Sequence, residues 1–120
     1  MINILAVDDD EKTTFLIEDL FKNIGYNIIT KNNGLEGISA FNKNKKIDVV
    51  ITDIEMPGMN GNEFARRIRK SRSIKRRKTP IIALTGSGLE NIDKGLFNSV
   101  LEKPVRIKQL ITAINNYSHN

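Results

Sequence analysis

Short continuous apolar runs alternate along this chain with longer segments in which apolar residues recur every three or four positions. Ile2–Val7, Val49–Thr52 and Ile81–Leu84 are runs of the first kind. Such runs predict strands covered on both faces, as in a parallel sheet. Tyr26–Thr30 and Ser99–Leu101 are weaker strand candidates. The intervening segments carry a helical period. Ile17, Leu20, Phe21 and Ile24 share one face, and Gly25 follows as a C-terminal stop. Leu35, Ile38 and Phe41 mark a second helix, Phe64 with Ile68 a third, and Ile107, Leu110, Ile111 and Ile114 a last one. Strands alternating with helices of this length predict an α/β fold with right-handed crossovers. Five strands suit a doubly wound parallel sheet of order 2-1-3-4-5, with helices on both faces and a switch point between strands one and three.

Composition narrows this without redirecting it. A chain of 120 residues predicts one domain over 1–120, large enough to bury roughly two-thirds of its unfolded surface. Charged residues at 28% and hydrophobic ones at 39% match an ordinary soluble protein. No apolar stretch approaches the ~20 residues that cross a bilayer. The start lacks the basic leader of a signal peptide and turns acidic at Asp8. With no cysteine there is neither a disulfide framework nor a thiolate metal site, and a cytoplasmic location is expected. The net charge of +5 is unevenly placed, since Arg66–Lys78 holds nine basic residues and no acid. That block is read as a solvated helix end and loop, where cations suit the helix dipole. Such a block could also bind nucleic-acid phosphates, an anionic membrane surface or an acidic partner. No aromatic residue interrupts it as a base-stacking platform for single strands would require, and nucleic acid is not the expected partner.

Chemistry gathers at the strand ends. Asp8-Asp9-Asp10 ends the first apolar run, Asp53 ends that of Val49–Thr52, Thr85 ends Ile81–Leu84, and Lys103 follows the last strand candidate. In the 2-1-3-4-5 order, Asp8, Asp9 and Asp53 converge on one crevice. Three carboxylates there would raise one another's pKa, and a hard divalent cation such as Mg²⁺ removes the conflict. Asp10 has a simpler use as N-cap of the helix starting near Glu11. A hydroxyl from Thr85 and an ammonium from Lys103 would face an anion carried on Asp53. If that anion is a phosphoryl group, Lys103 pairs with one oxygen and Thr85 hydrogen-bonds another. Asp53 is then the nucleophile that forms an acyl phosphate.

Val7-Asp8-Asp9, the Asp-Ile-Glu-Met-Pro-Gly-Met-Asn-Gly segment from Asp53, Ile82-Ala83-Leu84-Thr85 and Lys103-Pro104 together resemble the receiver domains of response regulators, the CheY-like family with a flavodoxin-like fold. The resemblance covers essentially the whole chain. It implies a phosphoacceptor of a two-component phosphorelay, with Asp53 taking phosphate from the phosphohistidine of a sensor histidine kinase or phosphotransfer protein. It implies Mg²⁺ held by Asp9, Asp53 and the Glu55 backbone carbonyl, with Asp8 helping through water. Thr85 becomes the switch hydroxyl, Lys103 the phosphate-binding lysine, and the Lys103–Pro104 bond is expected to be cis. Such a domain is a signalling switch that catalyses its own phosphorylation and dephosphorylation, not an enzyme. Its output partner is open, a phosphorylation-dependent dimer included. It could stand alone or be part of a larger regulator or a hybrid kinase.

Two departures bear on output. Val100 occupies the position, three before the lysine, where the family often has Tyr or Phe, and valine has no ring to relocate. The Thr85–Lys103 segment is short and contains Gly86, Gly88 and Gly95, so the fourth helix is expected to be short or irregular. Phosphorylation is expected to be intact and signal transmission altered. Glu55, two residues after Asp53, is expected near the phosphoryl group, where it would either order or repel the attacking water. Among rival readings, a haloacid-dehalogenase-type phosphatase would need Asp where Glu55 stands. A nucleic-acid module would need a recognition helix beside the basic run. A receiver-fold scaffold without phosphorylation would not need the full set of acidic, hydroxyl and amine residues. His119 is read as incidental.

Overall fold

The computed structural model describes residues 2–117, so His119 lies outside the described residues. The elements run β1 (Asn3–Val7), α1 (Glu11–Asn23), β2 (Asn27–Lys31), α2 (Gly34–Lys43), β3 (Val49–Asp53), α3 (Gly61–Arg69), α4 (Ile74–Arg77), β4 (Ile81–Thr85), a single 3₁₀ turn (Lys94–Leu96), β5 (Ser99–Glu102) and α5 (Ile107–Tyr117). The strands form one parallel sheet of order β2-β1-β3-β4-β5, as the alternation predicted.

Side chains along a strand alternate between faces, and the two cores divide accordingly. Ile4, Ala6, Ile51, Ile82 and Leu84 pack with Ile17 and Phe21 of α1 and Leu110 and Ile114 of α5. Leu5, Val7, Val50 and Ile81 pack with Phe41 of α2 and Phe64, Ala65 and Ile68 of α3. Each side of the sheet is therefore sealed, and the polar strand ends are left for chemistry.

The inward face of α2 corrects the periodicity reading. Leu35 is 67% exposed, and the buried positions are Gly34, Gly37, Ala40 and Phe41. A Cβ on Gly37 would lie 2.8 Å from Val7 Cγ2 and 2.9 Å from Phe64 Cε1. Close approach of the helix to the sheet is what buries this face, and hydrophobicity cannot signal it. In α5, Ile107 is likewise exposed while Ala113 is buried. In α1, Ile24 is the exposed C-cap and Gly25 ends the helix at φ 90°.

The β4–β5 crossover shows how far the fourth helix has shrunk. Its one regular element is the 3₁₀ turn, and Ala83 is covered by Ile54, Ile92, Phe97 and Val100 instead of a helix. In the basic block, Arg66–Arg69 close α3 as the expected helix end, but the segment read as loop holds α4, and two of the block's arginines are tied down. Arg69 donates to the carbonyls of Leu96, Arg77 and Thr79 and to Asn98 Oδ1. Arg76 donates to the Phe41 and Asn44 carbonyls and lies over the Phe41 ring. No described helix is long and apolar enough to cross a membrane.

Candidate functional site

The register places the strand ends side by side. Val7 pairs with Thr52, Asp53 with Leu84, and Thr85 with Glu102. Asp8 therefore leaves β1 beside the end of β3, and Lys103 leaves β5 beside Thr85. Gly61 brings α3 onto this edge, since a Cβ there would lie 2.4 Å from the Asp53 carbonyl oxygen. Only glycine permits that approach.

Asp8 and Asp53 are buried, at 1% and 3% exposure, and Asp9 is exposed. One carboxylate oxygen from each of the three lies within 4.8 Å of the others. Asp8 accepts the Asp10 N–H at 3.0 Å. Asp10 itself caps α1, accepting from the Lys12 N–H at 3.0 Å and the Thr13 hydroxyl at 3.1 Å, and these bonds lower its pKa. The acidic triplet thus splits into a cap and two site residues.

Lys103 Nζ bridges the buried pair, 3.1 Å from Asp8 Oδ2 and 3.2 Å from Asp53 Oδ1. The second contact is an ion pair out of hydrogen-bond alignment, which leaves Asp53 Oδ1 buried without a hydrogen-bond partner. Burial, and then the charge of Asp8, push the Asp53 pKa up to about 6, against the opposing pull of Lys103. Burial disfavours the charge on Lys103, but Asp8 and Asp53 outweigh it and raise its pKa. The lysine stays an ammonium between two acids.

The other half of the edge is built differently. Thr85 is fully buried, and its hydroxyl lies 3.0 Å from Glu55 Oε2 and 2.9 Å from the Gly88 carbonyl. Glu55 also accepts the Gly86 N–H and the Ser87 hydroxyl, each at 3.0 Å. Burial would raise the Glu55 pKa, but these three donors outweigh it and lower it. The sequence placed Glu55 near the site but gave no sign that its carboxylate would engage β4. Ser87 reads from the sequence only as part of the Gly86-Ser87-Gly88 loop at a strand exit, with no role in the site. The only available signal was the hydroxyl-rich Thr-Gly-Ser run facing an acid two residues beyond Asp53.

A family model for the response regulator receiver domain matches residues 4–115. The chain belongs to that family. Among its relatives, the transcriptional regulatory protein CpxR homolog of Haemophilus influenzae is 35% identical over 119 residues, covering 95% of this chain and 49% of its own length. The autoinducer 1 sensor kinase/phosphatase LuxN of Vibrio campbellii is 32% identical over 117 residues, covering 95% of this chain and 13% of its own. The receiver domain thus spans about half, or much less, of the curated relatives it matches. A response regulator receiver domain protein from Clostridium thermocellum superposes with a TM-score of 0.89 at 34% identity, covering 98% of this chain and 94% of its own. The response regulator TrrA of Thermotoga maritima, solved in complex with Mg²⁺-BeF, gives 0.86 at 31% identity, covering 98% and 99%. The receiver fold and its place among two-component proteins follow directly. The Lys103–Pro104 bond is cis, as that resemblance implied.

The acidic pocket of this receiver suits a hard divalent cation. It gathers three carboxylates with oxygen donors close together, one of them a buried oxygen without a hydrogen-bond partner, and Mg²⁺ takes such oxygen sites while keeping several waters.

Proposed function

We propose that the domain receives a phosphoryl group on Asp53 from the phosphohistidine of a sensor histidine kinase or phosphotransfer protein in the cytoplasm. The observation that carries this reading is the burial of Asp53 between Asp8 and Lys103 at the end of β3. A carboxylate so placed is crowded by like charge and held by one ammonium, an arrangement that a structural role does not require. An Asp53 oxygen attacks phosphorus in line with the P–N bond. The new P–O bond forms as the P–N bond breaks, and its electron pair returns to the imidazole nitrogen.

Lys103 pairs with one phosphoryl oxygen, and the Thr85 hydroxyl donates to another. Asp8, Asp9, Asp53 and the Glu55 backbone carbonyl would hold Mg²⁺, which supplies charge neutralisation to the phosphoryl oxygens. The product is a switch whose lifetime the domain itself sets, with output through protein contacts. Val100 packs with Phe97 against Ile54, Ala83 and Ile92 on the helix-poor crossover, and as a valine it has no ring to relocate when Thr85 moves.

Incubation with a small phosphodonor and Mg²⁺, followed by intact-mass measurement, tests the reading. One phosphoryl adduct is expected, and none in Asp53→Asn. An adduct that survives in Asp53→Asn, or none in the unaltered protein, overturns it.

A further inference from the structure

Three consecutive residues at the end of β4 aim their donors at one carboxylate. The Thr85 hydroxyl and the Ser87 hydroxyl each lie 3.0 Å from Glu55 Oε2, and the Gly86 N–H lies 3.0 Å from Oε1. Thr85 Oγ1 in turn accepts the Ser87 N–H at 3.3 Å, and the Gly88 carbonyl, 2.9 Å away, is a second acceptor for its hydroxyl. Donors of this kind are what an anionic oxygen recruits, whether carried on carbon or on phosphorus. The segment is therefore an oxyanion cradle, and it already has an occupant.

The cradle adjoins Asp53. Asp53 is in register with Leu84, one residue before Thr85, and the Thr85 carbonyl accepts the Lys103 N–H at 2.7 Å. A Cβ on Gly86 would lie 3.9 Å from both Glu55 Oε1 and Lys103 Cδ, so the cradle, Glu55 and the lysine line one space. Thr85 has a single O–H to give. It cannot serve Glu55 and a phosphoryl oxygen on Asp53 at once.

We propose that Glu55 is an intramolecular competitor for the phosphoryl group: its carboxylate fills the Thr85–Ser87 cradle in the unmodified protein and must leave when Asp53 carries phosphate. The proposal rests on Asp53 being the phosphoacceptor. The exchange has a driving force, because phosphorylation takes the charge at Asp53 from −1 to about −2 and sets it beside the Glu55 anion. It also has a cost, because Glu55 must first give up the Gly86 N–H, the Ser87 hydroxyl and its share of the Thr85 hydroxyl, which the Gly88 carbonyl also reaches. The apparent affinity for any phosphoryl analogue is reduced by the fraction of molecules whose cradle is open. Glu55 is thus a positioning residue. It holds Thr85 in the resting arrangement and sets the threshold for leaving it.

Titration with beryllofluoride at saturating Mg²⁺, followed by two-dimensional amide NMR, separates this from a plain charge effect. Before any Mg²⁺ or analogue is added, Glu55→Gln and Glu55→Ala are expected to shift the Gly86 and Ser87 amide signals and speed their hydrogen exchange. Half-saturation by beryllofluoride is expected to fall about tenfold in both variants, the scale of a lost charge-assisted hydrogen bond. Ser87→Ala leaves every charge in place and only loosens the grip on Glu55, so a fall of about threefold is expected there. Coulomb repulsion alone predicts no change in Ser87→Ala. Equal half-saturation in the unaltered protein and Ser87→Ala, or unmoved Gly86 signals in the Glu55 variants, overturns the proposal while leaving the phosphoacceptor reading intact. No uptake by the unaltered protein or by any variant that keeps Asp53 removes that reading, and the proposal with it.

Discussion

The two halves of the sheet edge answer opposite electrostatic problems. Around Asp53, buried carboxylates outnumber the one ammonium that holds them, and an acid is left with its pKa pushed up to about 6. Around Thr85, a single carboxylate meets three donors, and its pKa is lowered. The first half is under-neutralised and gains from a ligand. The second is satisfied and gains nothing until it is displaced. A switch needs both: one side to attract the modifying group, the other to make its arrival change something.

Removing the bridge should break the contrast most severely. Lys103→Met leaves Asp8 and Asp53 buried without a counter-charge, and loss of one partner from such a pair costs about 3 kcal/mol. Denaturant melts at pH 7 in chelator should show that loss, with much of it recovered at pH 5 as Asp53 takes up a proton. A pH-independent loss would mean that Lys103 acts by packing.

Asp53→Asn should do the reverse. Because the folded pKa of about 6 lies well above the ordinary aspartate value of about 3.9, ionising Asp53 disfavours the fold. Its contribution is fully present below pH ~4 and is lost as pH rises through 6. The variant should therefore match the unaltered protein near pH 4 and exceed it by about 2 kcal/mol at pH 7. That figure is below the full linkage value, which already contains the pull of Lys103, because an Asn amide does not reproduce every contact of a protonated carboxyl. Chelated denaturation at both pH values checks the sign. Mg²⁺ added at about a hundred times its dissociation constant should stabilise the unaltered protein by ~2.7 kcal/mol. It should stabilise Asp53→Asn and Asp9→Asn less, which thermal melts would register.

The smallest effect is expected on the satisfied side. Ser87→Ala removes one exposed donor and should cost less than ~1 kcal/mol. A larger loss would mean that the cradle supports the whole β4–β5 crossover and not only the position of Glu55.

Much of the fold was legible because the strands are continuous apolar runs and most helices have an apolar stripe. Asp8, Asp9, Asp53, Thr85 and Lys103 were legible as site candidates for the same reason: each ends or follows a strand, and strand ends in this order meet. What escaped was carried by contacts that hydrophobicity does not encode. Gly37 faces the core of α2 because it has no Cβ to collide with Val7 and Phe64, whereas Leu35 looks like a core residue and is not. Arg76 reads as one cation among many, yet it reaches back to the carbonyls beside Phe41.

The amino-acid sequence by itself determined the alternation of strands and helices, the acidic, hydroxyl and amine residues at the strand exits, and the cap at Asp10. These depend on local period and on the chemistry of single side chains. Only the tertiary structure decided that the Lys103 ammonium bridges Asp8 and Asp53, and that Glu55 turns toward Thr85, Gly86 and Ser87. Those choices depend on distances between residues 30 to 95 positions apart. Parallel pairing of the strands sets those distances, and no local pattern records them.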